Sequence, residues 1–410
     1  MSLVRYLPTP SDRMGILWSL LSVEGSVILE YGPAGTTHYS MSLFGELGID
    51  QENRLFSTHM SEDDVVMGDV TRLEQALIEV DEGYQPRVIF VVASSVSAII
   101  GTDLRGVCAY MQEKINARLI AFEQGGFRGD YSIGIKEAYR LLVEQLAEAS
   151  VEKKADTYNI LGASAWAYRN ASDVNEIRRL MKEAFGMECH ACLCHETSAE
   201  AIRTMGCAEV NLVLRDEALP AARFLQDKYG TPIAEGVPYG YEGTLNWLEQ
   251  IAKLLGREIN PRMVAHLKKR IADTRQYRMY GIMLKVNKPA ATIIGEYMTV
   301  QGIASLLMDL GFPALNKVSS HCLRAIENPV EDVKHLPEEK DRIDLLKGLH
   351  HHFVLADDVS RRLLAEDNTF MRVSLPLVDG TIVANHMPLM GDRGADMIIE
   401  SLEQYLQTLQ

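Results

Sequence analysis

The sequence predicts an α/β protein of Rossmann-like parallel sheets, on three observations. In ILEYGPAGTTHYS (Ile28–Ser40) a short apolar strand runs into a turn of Gly32, Pro33 and Gly35, and polar residues open a helix directly after it. Strand, glycine turn and helix in that order place chemistry at the carboxyl edge of a parallel sheet. The run VIFVV (Val88–Val92) is β-branched and unbroken, as in a strand covered on both faces. Such strands alternate with helical periods along the chain, which implies right-handed crossovers.

Taken in order, a first unit covers residues 1–152. Met14–Val23 reads as an amphipathic helix, and Tyr39–Leu47 as the helix after the glycine turn. Gln51–Arg54 is a loop. Phe56–Leu77 begins extended and turns helical near Asp69, with Asp69 or Thr71 as its cap. The strand at Val88 ends in Ser94, Ser95 and Ser97, and a helix is expected from about Asp103. Arg118–Phe122 is a strand leading to GGFRGDYS, and Ile133–Ala149 is a long helix.

The polar linker VEKKADT opens a second unit, residues 153–277. Its expected strands are Tyr158–Leu161, Glu188–Cys194, Val210–Leu214 and Pro232–Ala234. Between them lie a helix capped by Asp173 and stopped at Gly186, then helices over Ser198–Met205, Ala218–Tyr229 and Gly243–Leu255. The basic helix Pro261–Gln276 closes the unit. The third, residues 278–410, holds GIMLKV (Gly281–Val286), a helix Met298–Leu310, a polar stretch Ala325–Asp341, strands in HFVLAD and TFMRVSLP, and a closing helix in HMPLMGDRGADMIIESLEQYL. The two serial starts share an architecture but no convincing sequence repeat.

The 410 residues are 47% apolar, enough for two or three cores. Lys and Arg number 41 and Asp and Glu 56, so 41 − 56 = −15, with a pI near 5.3. That balance argues against nucleic acid or an anionic membrane as the main partner. The amino end lacks a basic-plus-apolar signal pattern, and Val88–Val92 is far too short to span a bilayer. Six unevenly placed cysteines do not form a disulfide framework. A soluble, cytoplasmic protein is expected.

Three places carry residues suited to chemistry. His38 beside the Gly-Pro turn is either a general acid or ligand, or a histidine packed on the first helical turn. GGFRG combines backbone amides with Arg128, which suits an anionic substrate group; the plainer reading is a structural turn with a surface arginine. The densest cluster is CHACLCH (Cys189–His195). On an extended strand His190, Cys192 and Cys194 share one face, and Cys192, Cys194 and His195 at its carboxyl edge would offer thiolates and imidazole to zinc or a small iron–sulfur centre. Against this, cysteines in a parallel strand behave as small buried hydrophobes, and no second pair completes a tetrahedral set. His350, His351 and His352 lead into a strand whose neighbours point to opposite faces, a poor arrangement for a shared metal.

The order YGPAGTTHYS, FSTHMSEDDVVMGD, PRVIFVVASSVSAIIGTDL and FEQGGFRG resembles the component-1 proteins of nitrogenase and the related catalytic components of dark-operative protochlorophyllide reductase. There a His-Gly-Pro-x-Gly-Cys turn is followed by Ser/Thr-x-Met-x-Glu, a strand ending Ser/Thr-Ser/Thr-Cys, and a Gly-Phe-x-Gly loop. YNILGASAWAYRN, AEVNLVL, KYGTPIAE, RVSLPLVDG and PLMGDRGADMIIESL extend the match over most of the chain. The resemblance implies three α/β domains around a central crevice. It implies a homo- or hetero-oligomer with a component-1-like subunit, and electrons from an ATP-dependent iron–sulfur reductase. It also implies that Gly32, Pro33, Gly35, Thr36, Thr37, Ser94, Ser95, Phe127 and Gly129 surround a cofactor.

The departures from the family pattern bear on function. Thr36 and Ser95, or in place of Ser95 its neighbour Val96, stand where the family has cluster cysteines, and a third such position falls near Thr9–Ser11. Arg215 and Met390 stand roughly at the cysteine and histidine that bind the large active-site cofactor. Hydroxyls are poor ligands for iron–sulfur clusters. The chain alone is therefore expected to hold no relay cluster through the usual positions and no nitrogen-fixing site. A metal centre would lie at the Cys/His strand or come from a partner subunit. The leading expectation is an oxidoreductase subunit acting on a reducible small molecule. The alternatives are a non-catalytic scaffold or carrier for a metallocofactor or tetrapyrrole, and a ligand-binding protein without a redox role.

Overall fold

Three parallel sheets carry the chain in the computed structural model, which describes residues 3–6, 9–46, 54–148, 150–278, 289–312, 314–378 and 383–409. The first has the order Leu55–Ser57, Ser26–Tyr31, Val88–Ala93, Arg118–Phe122. The second runs Ile233–Glu235, Val210–Val213, Thr157–Leu161, Glu188–Cys192. The third runs Val333–His335, Ala314–Ser319, Ala290–Gly295, Phe353–Ala356, Thr369–Arg372. Each starts in its middle, grows to one side, and then crosses to the other side of its first strand. That reversal leaves a crevice at the carboxyl ends of two central strands. The residues beyond those ends are Gly32 with Ser94, Gly162 with Arg215, and Glu296 with Asp357.

The central strands Ser26–Tyr31, Val88–Ala93 and Thr157–Leu161 are buried along their whole length, as expected of strands covered by helices on both faces. One hydrophobic core is shared by the first two sheets. It joins Trp18, Tyr131 and Tyr139 to Leu193, Leu219 and Leu225. The Trp18 and Trp166 rings stack within it, with centroids 4.9 Å apart and planes 6° from parallel. A two-stranded parallel pair, Val23–Glu24 with Thr197–Ser198, ties the same two units together through backbone hydrogen bonds.

Several boundaries differ from the sequence expectation for local reasons. The helix after the glycine turn spans Ala34–Glu46, so Thr36, Thr37 and His38 lie inside its first turns. Ser61 and Asp64 form a capping box that starts a separate helix at Glu62–Met67, before the expected helix at Thr71–Tyr84. Asp130 caps the long helix at Tyr131–Leu146. The third sheet uses Ala290–Gly295, Ala314–Ser319 and Val333–His335, none of which was read as a strand. The GIMLKV segment and residues 51–53 lie outside the described residues. Among the described residues, no helix is long and apolar enough to cross a membrane.

Candidate functional site

The first sheet brings its three turns together. A Cβ on Gly32 would sit 2.3 Å from the Ser94 Cβ, so that turn abuts the serine strand end directly. Ser95 donates its hydroxyl to the Gly125 carbonyl at 2.6 Å, and a Cβ on Gly126 would lie 3.6 Å from Ser95 Oγ and 3.2 Å from Ser11 Oγ. The amino-terminal segment is held against the loop by the Asp12 amide on the Gly129 carbonyl and the Tyr131 amide on the Pro10 carbonyl.

The hydroxyls of Thr36 and Ser95 are committed. Thr36 Oγ1 lies 2.7 Å from Glu30 Oε1 and 2.8 Å from the Pro33 carbonyl. Glu30, fully buried, also takes the Arg13 guanidinium at 2.5 Å. Beneath the turn, both carboxylate oxygens of Asp12, Glu30 Oε2 and Thr37 Oγ1 are buried without a hydrogen-bond partner among the described residues. Burial pushes the Asp12 carboxyl up, opposed by the nearby backbone N–H groups of Arg128 and Arg13, which fall short of hydrogen-bond geometry, and by the Arg128 charge. His38 is exposed on the helix surface. Arg128 is also exposed and acts on this edge through its field at Asp12.

The second and third switch points meet in a buried ionic knot. Gly162 has φ 111°, and a Cβ there would strike the Arg215 amide at 2.8 Å, so only glycine lets the chain turn this close to Arg215. Arg215, 5% exposed, pairs with Glu296 and lies 3.7 Å from Glu217. His321 accepts the Tyr297 amide at Nε2, bonds the Cys322 carbonyl through Nδ1, and lies 3.9 Å from Glu217. The Arg215 guanidinium thus faces two carboxylates. Burial pushes the Glu296 carboxyl up while Arg215 opposes it.

Met390 stands apart from this knot, at the cap of the closing helix Gly391–Thr408. Its amide and that of Leu389 donate to Asp173 Oδ1 at 3.0 and 2.7 Å. Asp173 is thus not a helix cap. It sits inside the helix Asn170–Phe185 and fastens the second sheet's helix layer to the third.

Burial pushes the Asp173 carboxyl up to about 7, outweighing the two amides. A raised carboxyl favours folding while protonated, so its stabilising contribution is full below about pH 4 and lost as the pH rises to 7. Wild-type stability is expected to lose on the order of 4 kcal/mol from this group across that window, and Asp173→Asn to remove that component. Urea unfolding at stepped pH checks this: parallel wild-type and Asp173→Asn profiles would show that Asp173 titrates normally.

The Cys/His strand is shorter than its expected Glu188–Cys194 span. The strand ends at Cys192, and Cys194 turns back with φ 63°. Cys192 packs in the second sheet's own core, whereas Cys194 packs in the shared core beside the Ser19 and Ser22 hydroxyls. Burial pushes the Cys194 thiol up to about 12 and the Cys192 thiol well above its usual value. His195 bonds Asn170 through Nδ1 at 3.0 Å. The expected shared face does not form, because the strand stops two residues early. Among the described residues, no group of three or more His, Cys, Asp or Glu side chains is placed to hold a metal ion.

The fold and this arrangement place the chain in a class of three-sheet parallel α/β proteins with a central crevice. The chain belongs to the nitrogenase component 1 type oxidoreductase family, whose profile matches residues 11–407. It is 30% identical over 233 residues to the nitrogenase iron-molybdenum cofactor biosynthesis protein NifE of Clostridium pasteurianum, covering 56% of this chain and 50% of that one. It is 28% identical over 288 residues to the Methanosarcina barkeri protein of the same name, covering 67% and 60%. One component of the light-independent protochlorophyllide reductase of Heliobacterium modesticaldum is 23% identical over 249 residues, covering 60% and 48%. The chain thus spans about half the length of the curated relatives it matches. In shape it is similar to a solved nitrogenase Cp1 at pH 6.5, with a TM-score of 0.81 and 16% identity over 99% of this chain and 94% of that one.

The groups that the family resemblance implies do not fit these residues. A relay cluster needs thiolates, and the first-sheet edge offers hydroxyls already bonded to Glu30, Pro33 and Gly125. A large crevice cofactor needs soft or imidazole ligands at the positions of Arg215 and Met390. Arg215 is instead neutralised in place by Glu296.

Proposed function

We propose that this chain is a subunit of a nitrogenase-component-1-like oxidoreductase that does not fix nitrogen. Its substrate is a reducible small molecule, and its electrons come from a separate iron–sulfur protein. Residues 1–152, 153–277 and 278–410 are proposed as its domains. A component-1-like partner subunit covers the first-sheet edge and supplies every thiolate of any cluster bound there.

One observation supports this most. The segments that carry the Thr36 and Ser95 hydroxyls and the adjoining GGFRG loop also carry exposed apolar side chains: Tyr39 is 54% exposed, Ile99 71% and Phe127 66%. Exposed apolar groups on such segments suit coverage by another protein. The scaffold reading, in which the crevice carries a metallocofactor, is disfavoured by the Arg215–Glu296 pair at its centre.

The test is anaerobic purification of the chain alone and co-expressed with a cysteine-bearing component-1-like subunit. The isolated chain is expected to be free of iron and sulfide, and the co-expressed pair to elute together carrying both. Phe127→Glu with Ile99→Glu is expected to release the partner and leave the chain folded. Stoichiometric iron and sulfide in the isolated chain, or a lone monomer beside its partner, would refute the proposal.

A further inference from the structure

We propose that the crevice contains a binding site for a small molecule bearing a planar carboxylate, anchored by the Arg342 guanidinium. Two cavities of about 150 and about 40 Å³ share Thr9, Ser320 and Arg342 as walls. They open over the carboxyl ends of third-sheet strands: Ser320 follows Ala314–Ser319, and Asp357 follows Phe353–Ala356. Tyr131 and Trp166 wall the smaller cavity, and Asp130, His335 and Leu336 wall the larger. A concave site at strand carboxyl ends, with walls from several units, is where α/β folds take their ligands.

Arg342 distinguishes this cavity from an ordinary cleft. Among the described residues no hydrogen bond or ion pair holds its guanidinium, although it is only partly exposed. The Arg342 charge acts on the Asp357 carboxylate, but the hydrogen bonds of the nearby carboxylates go elsewhere. Asp357 takes the amide and hydroxyl of Ser360 on its two oxygens. Asp130 takes the amide and hydroxyl of Ser132 on one oxygen and the Cys322 amide on the other. The planar donor fork of Arg342 is therefore free for a ligand, and that fork matches a carboxylate in bidentate fashion.

The rest of the cavity sets the ligand's character. Ser320 and Tyr131 share a hydrogen bond at 3.1 Å and present hydroxyls beside the anchor. Trp166, Leu375 and Pro376 form an apolar wall. With two carboxylates in the walls and one free guanidinium, a monoanion fits better than a phosphate dianion. The volume lies below the roughly 300–1,000 Å³ of drug-sized pockets, so the ligand is a single small ring or a short chain acid. The site belongs to this chain alone and does not rest on the partner, so its failure is distinct from failure of the proposed assembly.

The experiment is calorimetric titration of the isolated full chain with benzoate, benzamide and inorganic phosphate. Benzoate is expected to bind saturably. Benzamide, of the same shape but neutral, and phosphate are each expected to bind about 10- to 100-fold more weakly, the ratio for losing a charge-assisted hydrogen bond. Arg342→Gln is expected to abolish benzoate binding, and Arg342→Lys to weaken it about tenfold. Absence of saturable benzoate binding to wild type, equal binding of benzamide or phosphate, or wild-type affinity in folded Arg342→Gln would each overturn the proposal. If Arg342→Gln does not fold, Arg342→Lys decides, and unchanged affinity there overturns it.

Discussion

Arg215→Met is expected to lower the free energy of unfolding by about 3–5 kcal/mol, the cost of leaving a buried charge without its partner. Arg215 is the guanidinium facing Glu296 and Glu217, and all three are buried. Methionine fills a similar volume, so packing changes little and the loss reports charge. Arg215→Met/Glu296→Met removes both members of the closest pair and is expected to regain at least half of the loss, because an apolar pair of similar volume often replaces a buried ion pair without cost. Urea unfolding of the three proteins measures both effects. A single-variant loss below about 1 kcal/mol, as for a solvent-exposed pair, would mean the knot is hydrated.

Gly134→Ala is expected to cost about 3 kcal/mol, at the upper end for overpacking. The helices Asp12–Leu21 and Tyr131–Leu146 cross backbone against backbone. A Cβ on Gly134 would lie 1.8 Å from the Asp12 carbonyl oxygen, and one on Gly15 would lie 2.1 Å from the Tyr131 carbonyl oxygen. Alanine gains up to about 1 kcal/mol of helix propensity over glycine, so the clash must outweigh that gain. Gly83, in the helix Thr71–Tyr84, has nothing within 4 Å of its Cβ position, and Gly83→Ala is expected to stabilise by the propensity alone. Thermal and urea unfolding of both variants should therefore move in opposite directions. Equal shifts would mean the two helices separate without penalty.

Much of this fold was legible in the sequence because its signals are local. Burial on both faces selects runs such as Val88–Val92, and a left-handed cap at Gly186 stops a helix within one residue of its expected end. Convergence of the glycine turn, the serine strand end and the GGFRG loop follows once all three are placed at strand carboxyl ends. The ionic knot was not legible. Arg215, Glu296 and His321 are far apart in sequence, and no spacing marks a pair made only by packing. Asp173 looked like a cap because its residue type suits one, yet its partners are amides of Leu389 and Met390. The shared face expected of the cysteine cluster did not form because period-two reasoning holds only while the strand continues, and this one ends at Cys192.

The core shared by the first two sheets has a consequence for synthesis. The helix Asp12–Leu21 emerges early, and its apolar face is completed by Leu193, Leu219 and Leu225. Chains generally fold from the amino end as they leave the ribosome, but here the order of emergence and the order of burial do not match. The first sheet can pair its strands once Phe122 is made. Its helical layer, with Trp18 and Tyr131, stays open to water until the helix Leu219–Tyr229 has emerged.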